Sequence, residues 1–277
     1  MIPDPAPTLR QLLAFYMDAG VDCALAEDPV NRMLDDTPEP ATATASEAAE
    51  PRRSVRPALQ TQPSVELPRT APPTPDAAIV SAREAAATAP TLEALRDLMQ
   101  RFDGCALRGT AKQLVFADGN PQAKLMLVGE APGRDEDIEG LPFVGRSGKL
   151  LDLMLAAIGL DRSKVYIANV IPWRPPGNRT PTPQETQICL PFIKRQIELV
   201  NPDLLVTLGN PSTQALLGTR DGIMRTRGRW FDYDTGTRTI RALPTLHPAY
   251  LLRQPTYKRL AWQDLRAIAT ALAAISA

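Results

Sequence analysis

The chain has 277 residues, room for one or two domains of ordinary size. Lysine plus arginine and aspartate plus glutamate each number 31, so no overall field draws the molecule onto a polyanion, although a local basic groove stays open. Hydrophobic residues make up 44%, enough for a core; the three cysteines form no CxxC pair, which excludes a disulfide scaffold and leaves no metal site readable from cysteine alone. No apolar run reaches the roughly 18 residues that span a bilayer. Met1 to Arg10 carries Pro and Asp where a signal peptide has a basic end and an apolar stretch, so a soluble, cytoplasmic protein without membrane partners is expected.

In chain order, Thr8 to Ala26 has apolar residues at helical spacing, and residues 1–33 read as an N-terminal helical segment. From Leu34 to Ala77 nine prolines mix with Ala, Thr, Ser and Glu. Such a segment buries too little surface to offset its ordering entropy, so residues 34–90 are expected to be a disordered linker and 91–277 the folded domain. Thr91 opens an amphipathic helix with Leu92, Leu95, Leu98 and Met99 on one face. Apolar runs follow at Lys124–Gly129, Val165–Ile171 and Asp203–Gly209. They alternate with helical patterns at Ser147–Gly159, Thr182–Val200 and Asn210–Leu217. Two further strands, Gly228–Tyr233 and Arg238–Leu246, flank a turn at Asp234–Thr237, and Tyr257–Ile275 closes the chain as a helix. Strands and helices alternating in this way define an α/β fold, a largely parallel sheet covered on both faces.

Ligands of open α/β sheets bind beyond the carboxyl ends of the strands. Gly129 to Gly133 follows the first strand, Asn169 ends the second, Gly209 and Asn210 follow the third, and His247 to Tyr250 follows the last, so four separate segments converge on one edge. Glu130 and Glu136 lie in a Gly-rich loop where a carboxylate can orient or deprotonate water, or be one member of a solvated acidic turn. Phe143, between Pro and Val in a polar loop, is either tucked into the core or offered as a stacking surface. Asn169 interrupts an apolar strand and is either a core network residue or a reader of a base edge. His247 is the sole histidine, so any imidazole chemistry must use it. Basic residues are local: Arg174 and Arg179 in a Pro-rich loop, Arg225, Arg227 and Arg229 before Trp230, then Arg253, Lys258 and Arg259. These can hold phosphates along a strand.

Four stretches, GEAPGRDEDIEGLPFVGRSGKLLD, YIANVIPWRPPGNRTPTPQE, VTLG and HPAYLLR, resemble the family 4 uracil-DNA glycosylases of bacteria and archaea, in the right order between about Phe102 and Ala271. The resemblance implies a three-layer sandwich, with a four-stranded, mainly parallel sheet between helices. It implies hydrolysis of the N-glycosidic bond of uracil in DNA, single- or double-stranded, by a monomer. Position by position, it implies that Phe143 stacks on the flipped uracil, that Asn169 reads its O4 and N3 edge, and that His247 donates to O2. Glu130 and Ala131 line the pocket, and Glu136 is the residue expected to orient or activate water. The Tyr250–Arg253 segment enters the minor groove, with Leu251 or Leu252 filling the space left by the flipped nucleotide.

Members of that family hold a [4Fe–4S] cluster through four cysteines. Here Cys105 and Cys189 match two of them while Phe102 and Trp173 occupy the other two, and Cys23 can replace only one. No cofactor is therefore expected, with Phe102 and Trp173 packed where a cluster sits in the relatives. Two other readings stay open: a glycosylase for other deaminated bases, and a non-catalytic DNA- or polymerase-associated binding module. The N-terminal arm could tether a repair or replication partner.

Overall fold

The computed structural model describes residues 75–276. The helix expected over Thr8–Ala26, the linker as far as residue 74, Cys23 and any partner contact of the arm lie outside the described residues.

One sheet runs in the spatial order β1 (Asp118–Gly119), β3 (Val165–Asn169), β2 (Leu125–Gly129), β4 (Leu204–Leu208), β6 (Thr239–Thr245), β5 (Phe231–Asp234). β3, β2, β4 and β6 are parallel, with Met126 opposite Tyr166 and Leu127 opposite both Ile167 and Val206. The expected four strands are this parallel core, and the sheet is larger than expected because an antiparallel strand closes each edge. β5 pairs with β6 across the Asp234–Thr237 turn; β1 is two residues long, too short for any periodicity to reveal.

Every residue of β2, β3 and β4 is buried, which is why these strands read as continuous apolar runs. Alternate side chains serve opposite cores. Met126, Val128, Tyr166, Ala168 and Leu205 face one, together with α1 (Pro75–Thr88), α2 (Leu92–Arg101), α3 (Ala106–Thr110) and α6 (Pro183–Val200). Leu125, Leu127, Ile167, Leu204 and Val206 face the other, with α5 (Arg146–Ala156), α9 (Pro248–Arg253) and α10 (Lys258–Ser276). The short helices α4 (Arg134–Glu139), α7 (Asn210–Leu217) and α8 (Ile223–Thr226) complete the described chain.

Local signals start the helices where expected. Thr91 Oγ1 accepts from the Ala94 amide. Thr182 and Glu185 form a reciprocal capping box with Pro183 in the first turn of α6. The linker expectation fails over its last stretch, because Pro75–Thr88 is the helix α1, packed on α6. Ala78, Ala82 and Ala86 recur every four residues and are all buried, and the Arg195 guanidinium donates to the Ala89 carbonyl behind them (2.7 and 3.0 Å). An alanine stripe lets two helices approach closely, yet it contributes none of the large side chains by which composition recognises a core.

The crossover after β2 leads to β3 on one side, and the loop after β4 leads toward β6 on the other. The crevice between the carboxyl ends of β2 and β4 is thus the topological switch point, where such sheets take ligands.

Candidate active site

A cavity of about 350 Å³ opens at this edge. Glu130, Ala131, Glu136, Phe143, Asn169 and His247, each singled out in the sequence, line it together. It lies at the small end of ligand sites, which run ~300–1,000 Å³.

The backbone is shaped to bring three of these groups together. At Gly129, the last residue of β2, a Cβ would lie 2.4 Å from Asn169 Oδ1 and 2.6 Å from Phe143 Cζ, so only glycine lets the amide and the ring close over the strand end. The Phe143 and His247 rings stack at 5.4 Å between centroids, tilted by 30°. Phe143 resolves its two sequence readings by satisfying both: it is buried in the core beside Leu151 and still presents its ring to the cavity. Asn169 is buried, and its Oδ1 has no hydrogen-bond partner among the described residues. A buried acceptor left unpaired costs ~1–3 kcal/mol, so this atom is poised for a ligand that brings an N–H.

His247 caps α9, and its Nδ1 accepts from the Ala249 amide (3.1 Å). With Nδ1 an acceptor, the neutral ring carries its proton on Nε2 and can donate there. Burial, aided by the nearby Arg253 charge, pushes the pKa down to about 4, so the ring is neutral at physiological pH.

The two catalytic carboxylate candidates differ sharply. Glu136 is buried, with Oε1 accepting from the Val144 and Gly145 amides (3.1 and 3.0 Å) and Oε2 from Gly133 (3.0 Å). It staples the loop carrying Phe143 to the start of α4, so both carboxylate oxygens are engaged by backbone amides. Glu130 makes no side-chain hydrogen bond among the described residues, and burial raises its pKa above the usual carboxylate value.

A second groove of about 400 Å³ adjoins the cavity and shares Glu136, Ser147, Asn178, Ala249 and Arg253 with it. Arg134, Arg146 and Arg253 line it, and none forms an ion pair among the described residues. The sequence reading found only Arg253. Arg134 and Arg146 stand in the first matching stretch, each the second residue of a Gly-Arg pair opening a helix, among the carboxylates and the Phe143 that the sequence singles out there. Three of the other basic residues expected at phosphates are engaged by partners within the protein. Arg174 bonds Asn178 (2.7 Å) and faces buried Asp137 (3.8 Å), and Arg179 forks onto Glu185 (2.6 and 2.9 Å). Arg227 is a core ion pair with Asp264. Of the two leucines, Leu251 is buried in the core and Leu252 is exposed at the groove, which leaves Leu252 as the candidate wedge.

On the opposite face, Cys105 and Cys189 are free and buried, their sulfurs 3.9 Å apart. Phe102 and Trp173 belong to the same core, with Phe102 packed edge-to-face on Phe192 at 5.0 Å. Two thiols and two aromatic rings do not fit a group that needs four thiolates. Among the described residues, no three His, Cys, Asp or Glu side chains are grouped to hold a metal ion.

An α/β sandwich whose switch-point pocket combines a stacking ring, an orphaned amide oxygen and a neutral imidazole donor is the architecture of an enzyme that works on an extruded nucleobase. The chain belongs to the uracil DNA glycosylase superfamily, whose sequence pattern it matches over residues 116–266. It is similar to the type-4 uracil-DNA glycosylase of Archaeoglobus fulgidus, with 38% identity over 184 residues, 64% of this chain and 92% of that protein. The type-4 enzyme of Saccharolobus solfataricus is 38% identical over 186 residues, 65% of this chain and 86% of its own. That of Thermotoga maritima is 38% identical over 177 residues, 63% of this chain and 91% of its own.

Proposed function

We propose that the chain hydrolyses the N-glycosidic bond of uracil in DNA and leaves an abasic site. The observation that carries this reading is the Asn169 Oδ1, unpaired among the described residues, beside the Phe143 ring. Uracil offers an N3–H to that oxygen and O4 to the amide NH2. Cytosine reverses both, presenting a bare N3 and an NH2, and leaves donor facing donor. Flipping the base costs a few kcal/mol, and stacking on Phe143 returns ~1–3 kcal/mol.

Bond breaking builds negative charge on uracil and positive charge on the sugar. Nε2–H of His247 stabilises the first at O2 without a charged ring in the pocket. Glu130 orients the attacking water and balances the sugar charge, taking the water role that the resemblance implied for Glu136, while Glu136 keeps the loop in place. Arg253, Arg134 and Arg146 hold phosphates of the bound strand. The protein works without a cluster, its place taken by the packing of Phe102 and Trp173. No helix among the described residues is long and apolar enough to cross a membrane.

The test is alkaline cleavage of labelled oligonucleotides carrying uracil, hypoxanthine or xanthine, with iron and acid-labile sulfide assayed on the same anaerobic preparation. Abasic product from uracil, without stoichiometric iron, is expected. Product from none of the three would leave a binding module, and four irons per chain would overturn the cluster-free reading.

The leucines give a sharper check. Leu251→Ala is expected to cost ~2–5 kcal/mol of stability by denaturant unfolding, as a cavity in a packed core does. Leu252→Ala should leave stability within about 0.5 kcal/mol. It should slow excision from duplex and spare single strands, which have no stack to refill. Equal loss on both substrates would rule out the wedge.

A further inference from the structure

Phe143 stands in the left-handed region with φ 56°, where a bulky residue stores ~1–3 kcal/mol of strain unless its surroundings enforce it. The enforcement converges on its carbonyl. Arg162, in a single helical turn just before β3, donates from Nη2 to the Phe143 carbonyl and from Nη1 to that of Pro142 (3.1 Å). On the other side a Cβ at residue 148 would fall 1.6 Å from the same Phe143 oxygen, so Gly148 is the floor against which the carbonyl is pressed.

Arg162 is itself fixed from two further elements. Its Nη1 lies 2.6 Å from Asp118 Oδ2 on β1, and its Nε 2.8 Å from Asp152 Oδ1 on α5. β1 passes close enough to do this because Gly119, at φ 100°, would otherwise drive a Cβ to 2.1 Å from the Val165 carbonyl and 2.8 Å from that of Arg162. The two-residue edge strand thus delivers a carboxylate to the guanidinium. Arg162 lines neither the cavity nor the adjoining groove.

We propose that Arg162, oriented by Asp118 and Asp152, is a positioning residue for base capture: it holds the strained Phe143 backbone so that the ring faces the flipped base. The inference rests on the uracil-excision reading above. A planar fork with five donors can serve two carbonyls and two carboxylates at once, whereas an ammonium cannot, so lysine should rescue only in part.

The experiment is a double-mutant cycle read by inhibition with free uracil. Arg162→Gln is expected to raise the uracil inhibition constant about tenfold, leave affinity for undamaged DNA unchanged, and add nothing in a Phe143→Ala background. Arg162→Lys and Asp118→Asn should give intermediate shifts, and they carry the test should the glutamine variant not fold. Additive effects of the Arg162 and Phe143 changes, or an inhibition constant that stays put while only melting temperature falls, would overturn the proposal. Should the parent protein excise no uracil from oligonucleotides, the reading of the site fails first; an active parent with an additive cycle removes the positioning role alone.

Discussion

Replacing His247 by alanine is expected to lower single-turnover excision of uracil by about 10²–10³-fold, the cost of removing one preorganised donor from developing negative charge. Binding of uracil-containing DNA should change far less, because the bond to O2 strengthens only as the base departs. The cap geometry makes the expectation specific. Nδ1 is occupied by the Ala249 amide, so the proton available to substrate is the one on Nε2, and the ring acts as a neutral donor. The pH profile should agree. With the folded pKa pushed down to about 4 from an ordinary 6.5, no ionisation of His247 should appear in kcat/KM above pH 5. Between pH 6.5 and about 4 the unfolded chain binds the proton and the folded one does not. His247 therefore makes stability fall as the pH drops through that window, and an alanine there removes this part of the acid sensitivity. A His247→Ala enzyme within threefold of the parent rate would end the leaving-group role.

Exchanging the two pocket carboxylates for amides one at a time should separate chemistry from scaffold. Glu130→Gln is expected to cost ~10²–10⁴-fold in turnover, the range for loss of a positioned general base, with melting unchanged. Because burial raises the pKa of Glu130, the acid limb of the parent profile should lie above the usual carboxylate range and disappear in this variant. Glu136→Gln should behave differently. Three backbone amides point at that carboxylate, and a glutamine turns an NH2 toward donors where an acceptor stood. Loss of one charged hydrogen bond, ~1.5–3 kcal/mol, should appear as lowered stability and weakened uracil inhibition as the Phe143 loop loosens. If Glu136→Gln abolishes turnover with stability and uracil binding intact while Glu130→Gln is benign, the assignment of the two is reversed.

What the chain determined unaided follows from patterns local in sequence. β2, β3 and β4 are buried on both faces, so they had to be written as unbroken apolar runs, and α6 announces itself through Thr182, Pro183 and Glu185. The strand ends then put Glu130, Asn169 and His247 on one rim, and the four matching stretches carried the family. Tertiary structure decided what each polar group is free to do, because freedom depends on partners distant in the chain. Arg227 finds Asp264 37 residues on, and Arg162 reaches Asp118 44 residues back, so neither is available to a phosphate although both look like surface cations in the sequence. Glu136 is spent on amides eight and nine residues away, whereas Glu130 makes no side-chain hydrogen bond among the described residues. Leu251 and Leu252 are indistinguishable as letters, yet one residue of helix turns a side chain by about 100°. That rotation puts the first in the core and the second in the groove. α1 shows the same limit, since alanines at a four-residue spacing become a packing face only once α6 lies against them.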